Sequence, residues 1–176
     1  MSSTFLYFAY GSNLLAKRIR LSNPTAIMKD IGYIKNFRLD FNRYSKRWCG
    51  SSATIVETEN SVVWGVVWEL DKCNLATLDN QEGVQDNIYH AMSVNVETPD
   101  GRTLDCRVYQ QCNNPKEYIK PEDFPMDKRP SPLYLSMILN GAKENSLPAD
   151  YIKFLKTIPH NGYEGEYDIS LSLIQN

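Results

Sequence analysis

Residues 10–13 form the first segment whose residue types and spacing could do chemistry. An apolar run ends here and helical spacing begins, through Tyr10, Gly11, Ser12 and Asn13. N–H groups at the start of a helix are unpaired and carry partial positive charge, so such a turn can hold a carboxylate or a developing oxyanion. Glycine also lets a ligand approach the main chain closely. The alternative is purely structural, with Gly11 making a turn and Ser12 or Asn13 capping a helix.

Glu82 is the second candidate, because it lies at the predicted end of a helix and directly precedes Gly83. A carboxylate there faces the negative end of the helix dipole, and desolvation would raise its pKa further toward the range useful for proton transfer. The alternative is a solvated surface carboxylate. A third candidate is Tyr134, whose phenol could contact a substrate carboxylate or pack in the core.

Other types of catalytic site are not expected. Cys49, Cys73, Cys106 and Cys112 form no C-x-x-C pair, and the two histidines stand apart, so neither a zinc site nor a disulfide framework is predicted. No serine or cysteine lies in a nucleophile signature, so a catalytic triad is not predicted either.

Charge and hydropathy exclude several partners. The net charge is −2, and the basic residues are scattered without a run or stripe, which argues against nucleic acid and anionic membranes. No apolar stretch approaches the roughly 20 residues needed to span a bilayer, and the first residues do not resemble a signal peptide. We therefore expect a cytoplasmic protein.

The elements that must position these residues follow from periodicity. Apolar runs or alternation predict strands at 5–9, 37–41, 53–56, 62–68, 92–96 and 104–108, the last two joined as a hairpin through Pro99, Asp100 and Gly101. Helical spacing follows residue 13 and recurs near 71–82, 134–141 and 148–155, whereas five prolines make 113–132 a long loop. The chain, residues 1–176, is predicted to be one α+β domain with a mixed or mainly antiparallel sheet, for which a closed barrel is one arrangement.

The order and wording of four segments resemble the γ-glutamylcyclotransferase family over nearly the whole chain. The segments are residues 5–14 (FLYFAYGSNL), 64–68 (WGVVW), 78–84 (LDNQEGV) and 141–145 (GAKEN). The resemblance implies a small β-barrel flanked by helices and an enzyme of glutathione metabolism that turns γ-glutamyl-L-amino acids into 5-oxo-L-proline and the free amino acid. It implies no metal and no organic cofactor, and it suggests a homodimer.

The resemblance also assigns roles to residues. It implies that the 10–13 loop and the carboxylate of Glu82 meet in one pocket and that Tyr134 contacts the substrate. Because the α-ammonium of such a substrate must lose a proton before ring closure, we assign Glu82 the role of general base and then general acid. The γ-glutamyl site would be lined by Tyr7, Phe8, Ala9, Tyr10, Gly11, Ser12 and Asn13.

Two features depart from the family pattern. Ser51 stands where a glycine-like residue is expected, and the loop 113–132 is unusually long, so we expect this loop to border the pocket mouth and influence the leaving amino acid. Three alternatives remain open at this point: an enzyme specific for γ-glutamylamines, one specific for glutathione, and a non-catalytic γ-glutamyl-binding or regulatory protein.

Overall fold

A closed barrel of five strands forms the centre of the fold in the computed structural model, which describes residues 3–168. Four α-helices flank the barrel in this part of the chain. The strands are β1 (Thr4–Ala9), β2 (Ile27–Ser45), β3 (Gly50–Asp71), β4 (Tyr89–Glu97) and β5 (Thr103–Gln111). The helices are α1 (Ala16–Ser22), α2 (Leu75–Gln81), α3 (Pro132–Glu144) and α4 (Ala149–Leu155).

The strands follow one another around the barrel in the order β1, β3, β2, β4, β5. Neighbours are antiparallel except at the closing seam, where β1 runs parallel to β5 and Tyr7 lies opposite Arg107. The predicted α+β class with a mixed barrel is therefore confirmed. Closure also removes the open sheet edges that would otherwise pair with other chains.

The predicted hairpin of residues 92–108 is confirmed as β4 and β5. Val94 pairs with Cys106 and Val96 with Leu104, so the alternating apolar residues fall on one face, as the pleat requires. Val96, Cys106 and Val108 are buried in the core on that face.

The predicted strands 53–56 and 62–68 are one strand, which corrects the sequence interpretation. Both belong to β3, which has 22 residues, and the predicted strand 37–41 lies within the 19 residues of β2. The polar stretch 57–61 is partly exposed and pairs irregularly beside the positive-φ residues Asn36 and Asn60. A strand exposed in this way shows no apolar periodicity, so the sequence pattern breaks although the strand continues.

Helix α3 begins where the proline-rich loop ends. The hydroxyl of Ser131 accepts a hydrogen bond from the N–H of Tyr134 at 3.3 Å, and Pro132 occupies the first turn, where its missing N–H costs nothing. Tyr134, Met137 and other residues of the predicted inner face are buried. Within residues 3–168, no helix combines the length and the apolar character needed to cross a membrane.

The loop 113–132 is fastened to the outside of β2 by a buried cluster of charges. Asp40 is 1% exposed. It accepts a hydrogen bond from Arg38 at 3.0 Å and lies 2.8 Å from the ammonium of Lys128, which belongs to the loop. Lys128 also donates to the carbonyl of Phe41 at 2.8 Å.

Candidate active site

A cavity of about 720 Å³ opens at one end of the barrel. Its walls come from the end of β1, the 3-10 turn Ser12–Leu14, the end of α2, the start of α3 and the lip, by which we mean residues 43–48 around the β2–β3 turn. Seven of the predicted site residues line it: Tyr7, Tyr10, Gly11, Ser12, Asn13, Glu82 and Tyr134. Segments more than 120 residues apart in sequence therefore meet in one site.

The turn after β1 is held from beneath by the end of α3. The side-chain amide of Asn145 donates to the carbonyl of Leu14 at 2.8 Å, and Glu144 accepts from the N–H of Ala16 at 3.0 Å. A Cβ on Gly141 would lie 2.5 Å from the Cβ of Leu14 and 2.6 Å from its backbone carbon, so only glycine permits this approach. The 141–145 segment thus positions the glycine turn without lining the cavity.

Asn13 connects the turn to the carboxylate. Its side chain is 4% exposed, and its amide donates to the hydroxyl of Tyr7 at 3.1 Å and, in a longer contact of 3.5 Å, to Glu82. Its side-chain oxygen accepts from Gln81 at 3.1 Å, and its backbone carbonyl accepts from the Trp68 indole at 2.9 Å. Because both ends of the amide are engaged, its orientation toward the carboxylate is fixed.

Glu82 occupies the C-cap of α2. The next residue, Gly83, has φ of +68°, the left-handed conformation that ends many helices and favours glycine. Asp79, one turn earlier, accepts three hydrogen bonds from the guanidinium of Arg107 at 2.8, 3.0 and 3.2 Å. Since Arg107 lies on the closing seam, this ion pair fixes the end of α2 to the barrel.

The environment of Glu82 suits proton transfer near neutral pH. Burial disfavours its ionised form and raises its pKa to about 7, while Arg18 acts in the opposite direction and Asp79 adds a smaller increase. A group that gains and loses a proton near pH 7 can serve as both base and acid.

The tyrosines around the cavity are neutral hydrogen-bonding groups. Burial raises the pKa of Tyr7, Tyr10 and Tyr134 well above the ordinary value. The hydroxyl of Tyr10 donates to the carbonyl of Tyr109 at 2.5 Å, which ties the end of β1 to β5. The hydroxyl of Tyr134 accepts from the N–H of Ala53 at 2.9 Å, so its own proton points elsewhere.

Three expectations about the cavity wall need correction. Phe8 and Ala9 are fully buried and do not line the cavity. The side chain of Phe8 lies on the opposite face of β1 from that of Tyr7, and its ring packs over Gly65. In the described part of the chain, no residue of the loop 113–131 lines the cavity, since the loop is bound to the outside of β2. Ser51 is also buried, and its hydroxyl donates to the carbonyl of Asn42 at 2.8 Å instead of facing the cavity.

Sequence reasoning missed Arg18 and the lip. Arg18 lies on α1, is 5% exposed and lines the cavity, with its guanidinium 5.5 Å from the ring centre of Trp48. The sequence did contain one indication of this role: Arg18 lies at helical spacing from Leu15 and Ile19, so a cation stands on the apolar face of the helix that must be buried. The described residues contain no group of three or more histidine, cysteine or acidic side chains that could hold a metal ion.

Comparison with known proteins agrees with this arrangement. Residues 62–155 match the AIG2-like family. The chain is 44% identical over 167 residues to the gamma-glutamylcyclotransferase of Bos taurus and 43% identical to that of Homo sapiens, covering 93% of this chain and 83% of each relative. A solved structure of a gamma-glutamyl cyclotransferase has a TM-score of 0.87 and 40% identity, over 97% of both chains. The chain therefore belongs to the gamma-glutamylcyclotransferase family, a family of enzymes.

Proposed function

We propose that this protein converts γ-glutamyl-L-amino acids into 5-oxo-L-proline and the free amino acid, with Glu82 as the proton carrier. One observation carries the proposal: a desolvated carboxyl with a pKa of about 7 lines the same cavity as the glycine turn at Gly11. Two close relatives are named gamma-glutamylcyclotransferases, which supports this choice of reaction.

The substrate supplies its own nucleophile. Its α-amino group reaches the side-chain carbonyl and closes a five-membered ring, while the bond to the nitrogen of the attached amino acid breaks. No water or second substrate is consumed. Holding the substrate in the cyclising conformation removes an entropic barrier, because effective molarities of well-oriented intramolecular reactions reach about 10⁵ M or more.

Proton transfer is the part of the chemistry that needs a side chain. The α-ammonium starts with three protons and the lactam nitrogen keeps one, while the leaving nitrogen goes from one proton to the three of an ammonium. Ionised Glu82 takes a proton from the α-ammonium, the neutral amine attacks, and protonated Glu82 returns this proton to the leaving nitrogen as the amide bond breaks. Glu82 then takes the second proton from the ring nitrogen, which becomes the neutral lactam N–H, and passes it to the released amine, which becomes an ammonium. Positioned acid–base groups of this kind contribute about 10²- to 10⁴-fold in rate.

The glycine turn and the tyrosines supply polar contacts. The backbone N–H groups of Gly11 and Ser12 are candidates for holding a substrate carboxylate or the tetrahedral oxyanion. Tyr7 and Tyr134 stay neutral because burial raises the pKa of both, so they can donate to the substrate without repelling its carboxylates. Asn13 touches both Tyr7 and Glu82, which supports a role in aligning the carboxyl.

Product formation by purified protein tests the proposal. Wild type, Glu82→Gln and the matched control Glu122→Gln are incubated with γ-glutamyl-alanine, ε-(γ-glutamyl)-lysine or glutathione, and 5-oxoproline is measured. Glu122 is an exposed residue of the loop 113–132. We expect turnover of the dipeptide by wild type and the control, and a loss of about 10²- to 10⁴-fold in Glu82→Gln.

The other outcomes of this assay each contradict the proposal in a different way. Preference for the lysine derivative or for glutathione would identify a related enzyme with another leaving group. Release from none of the three substrates would indicate a binding protein. Full activity of Glu82→Gln would remove Glu82 from the mechanism.

The proposal includes a cytoplasmic homodimer that needs neither nucleic acid nor a membrane. All four cysteines are free thiols, which suits a reducing compartment. Light scattering on a sizing column measures the assembly, and a monomeric mass would contradict this part of the proposal.

A further inference from the structure

Arg18 is a buried cation to which the mechanism above gives no task. It is 5% exposed, it lines the cavity, and its Nε atom is buried without a hydrogen-bond partner. Its guanidinium carbon lies over the ring of Trp48, 5.5 Å from the ring centre. A stacked ring covers one face of a guanidinium and leaves the N–H groups at its edge for another partner.

An arginine in this state is costly to the fold. Charged groups are excluded from protein interiors unless they are paired and hydrogen-bonded. Burial lowers the pKa of Arg18, the sign of a desolvated cation, and the nearby charge of Arg47 acts in the same direction. Glu82 acts in the opposite direction, but Arg18 forms no ion pair among the described residues, so an anion that enters the cavity can become its direct partner.

The cavity also holds an acidic group at a useful separation from Arg18. Glu82 interacts electrostatically with Arg18, yet the two make no ion pair within 4.0 Å among the described residues. An unpaired cation and an unpaired carboxyl thus share one cavity without neutralising each other. The ligand that fits between them carries a positive and a negative group on the same carbon atom.

We propose that Arg18 binds the α-carboxylate of the γ-glutamyl group, so that the α-amino acid head lies between Arg18 and Glu82. This inference rests on the proposed function. The α-ammonium and the α-carboxylate share one carbon atom, so a substrate that presents its amine to Glu82 brings its carboxylate to the same end of the cavity. Carboxylates and guanidinium groups form strong, oriented hydrogen bonds.

This placement of the α-carboxylate also determines what the glycine turn can bind. With the α-carboxylate on Arg18, the N–H groups of Gly11 and Ser12 are left for the oxyanion that develops on the γ-carbonyl. Arg18 is thus a specificity residue for the glutamyl unit, and the leaving amino acid does not affect its contribution.

Matched substrates and variants test this contact. γ-Aminobutyryl-alanine has the amine and the γ-carbonyl of γ-glutamyl-alanine but lacks the α-carboxylate, and it cyclises to 2-pyrrolidinone. Arg18→Met keeps the length and the packing on Trp48, while Arg18→Lys keeps the charge. Arg20→Met is the control, because Arg20 is exposed on the same helix, stacks on the ring of Trp68 and does not line the cavity.

We expect Arg18→Met to lower kcat/KM for γ-glutamyl-alanine by about 10- to 100-fold, the strength of a hydrogen bond to a charged group. The same variant should leave kcat/KM for γ-aminobutyryl-alanine within about threefold of wild type, because this substrate has no α-carboxylate and therefore makes no contact with Arg18 that the substitution could remove. Arg18→Lys should recover part of the loss, and Arg20→Met should behave as wild type on both substrates. Equal losses on the two substrates would make Arg18 a structural residue and overturn the proposal.

Calorimetric binding of the product gives a readout that needs no turnover. Wild type should bind 5-oxoproline about 10- to 100-fold more tightly than 2-pyrrolidinone, and Arg18→Met should bind the two alike. A preference for 5-oxoproline that survives in folded Arg18→Met refutes the contact while leaving the proposed reaction intact. A wild-type protein that forms no 5-oxoproline refutes the reaction, whereas the binding comparison still decides the role of Arg18.

Discussion

Replacement of Glu82 by glutamine should make the folded protein more stable at neutral and alkaline pH. Burial raises the pKa of Glu82 to about 7 from an ordinary value of 4.5, so the folded protein resists ionisation of this carboxyl. The unfolded chain, in water, ionises it freely. Between pH 4.5 and 7 the native state therefore holds a proton that the unfolded state has lost, and stability falls as the pH rises through this range.

The size of the effect follows from the same values. Each tenfold change in proton affinity is worth about 1.4 kcal/mol, so a pKa of about 7 in place of 4.5 corresponds to roughly 3 kcal/mol. Because Glu82 keeps partial exposure to the cavity, water reduces the expected gain to about 2–3 kcal/mol at pH 8. Near pH 5 the difference should be below about 1 kcal/mol.

Urea unfolding of wild type, Glu82→Gln and Glu122→Gln at pH 5, 6, 7 and 8 measures this difference. Wild type and the exposed control should lose stability together relative to Glu82→Gln as the pH rises. For a chain of 176 residues, about 2–3 kcal/mol also corresponds to a rise of roughly 4–12 °C in Tm. Parallel stability profiles for all three proteins would show that the carboxyl is solvated in the folded state, and the acid–base assignment would lose its physical basis.

Four further predictions have defined outcomes. The value of kcat/KM should fall about tenfold per pH unit below pH 7, where Glu82 becomes protonated, and a profile flat from pH 5 to 8 would contradict its role as the base. Gly141→Ala should lower the free energy of unfolding by about 1–3 kcal/mol, because the new methyl meets backbone atoms of Leu14 at 2.6 Å. Gly11→Ala should fold normally, since its methyl has no neighbour closer than 3.5 Å, but it should lose activity because the methyl occupies the cavity. Thermal unfolding by calorimetry should therefore detect the Gly141→Ala substitution, whereas a turnover assay should detect Gly11→Ala. Asp40→Asn should cost about 3–5 kcal/mol in urea unfolding, because it leaves two buried cations without their carboxylate.

Local patterns were sufficient to predict most of the elements. The β4–β5 hairpin, the inner face of α3 and the glycine at the end of α2 follow from alternation, helical spacing and a left-handed terminal residue. Each of these signals is contained within about a dozen neighbouring residues. The union of 53–56 and 62–68 in one strand escaped prediction because the residues between them are polar and lie at a register shift against β2, where apolar periodicity is lost although the strand continues.

The composition of the site was harder to predict than its chemistry. Residue types indicated Glu82 and the glycine turn. The position of the loop 113–132 could not be predicted in this way, because it depends on a buried ion pair between Lys128 and Asp40, which are 88 residues apart in sequence. Arg18 was visible only as a charge on an apolar helix face, and the role proposed for it depends on its having no ion pair within residues 3–168, which only the three-dimensional structure can show. Side-chain alternation along β1 likewise explains why Phe8, unlike Tyr7, does not line the cavity.

The lip can change in length without disturbing the interior of the barrel. It lies around the tip of the β2–β3 hairpin, where Ser45 and Gly50 make the last pair, and Arg43, Lys46 and Arg47 are exposed there. Hairpin tips tolerate insertions and deletions better than any other part of a sheet. Relatives could therefore lengthen or shorten this tip and admit bulkier or smaller leaving groups while the ring-closing machinery stays constant. The range of substrates can therefore change through one part of the barrel while another part keeps the reaction the same.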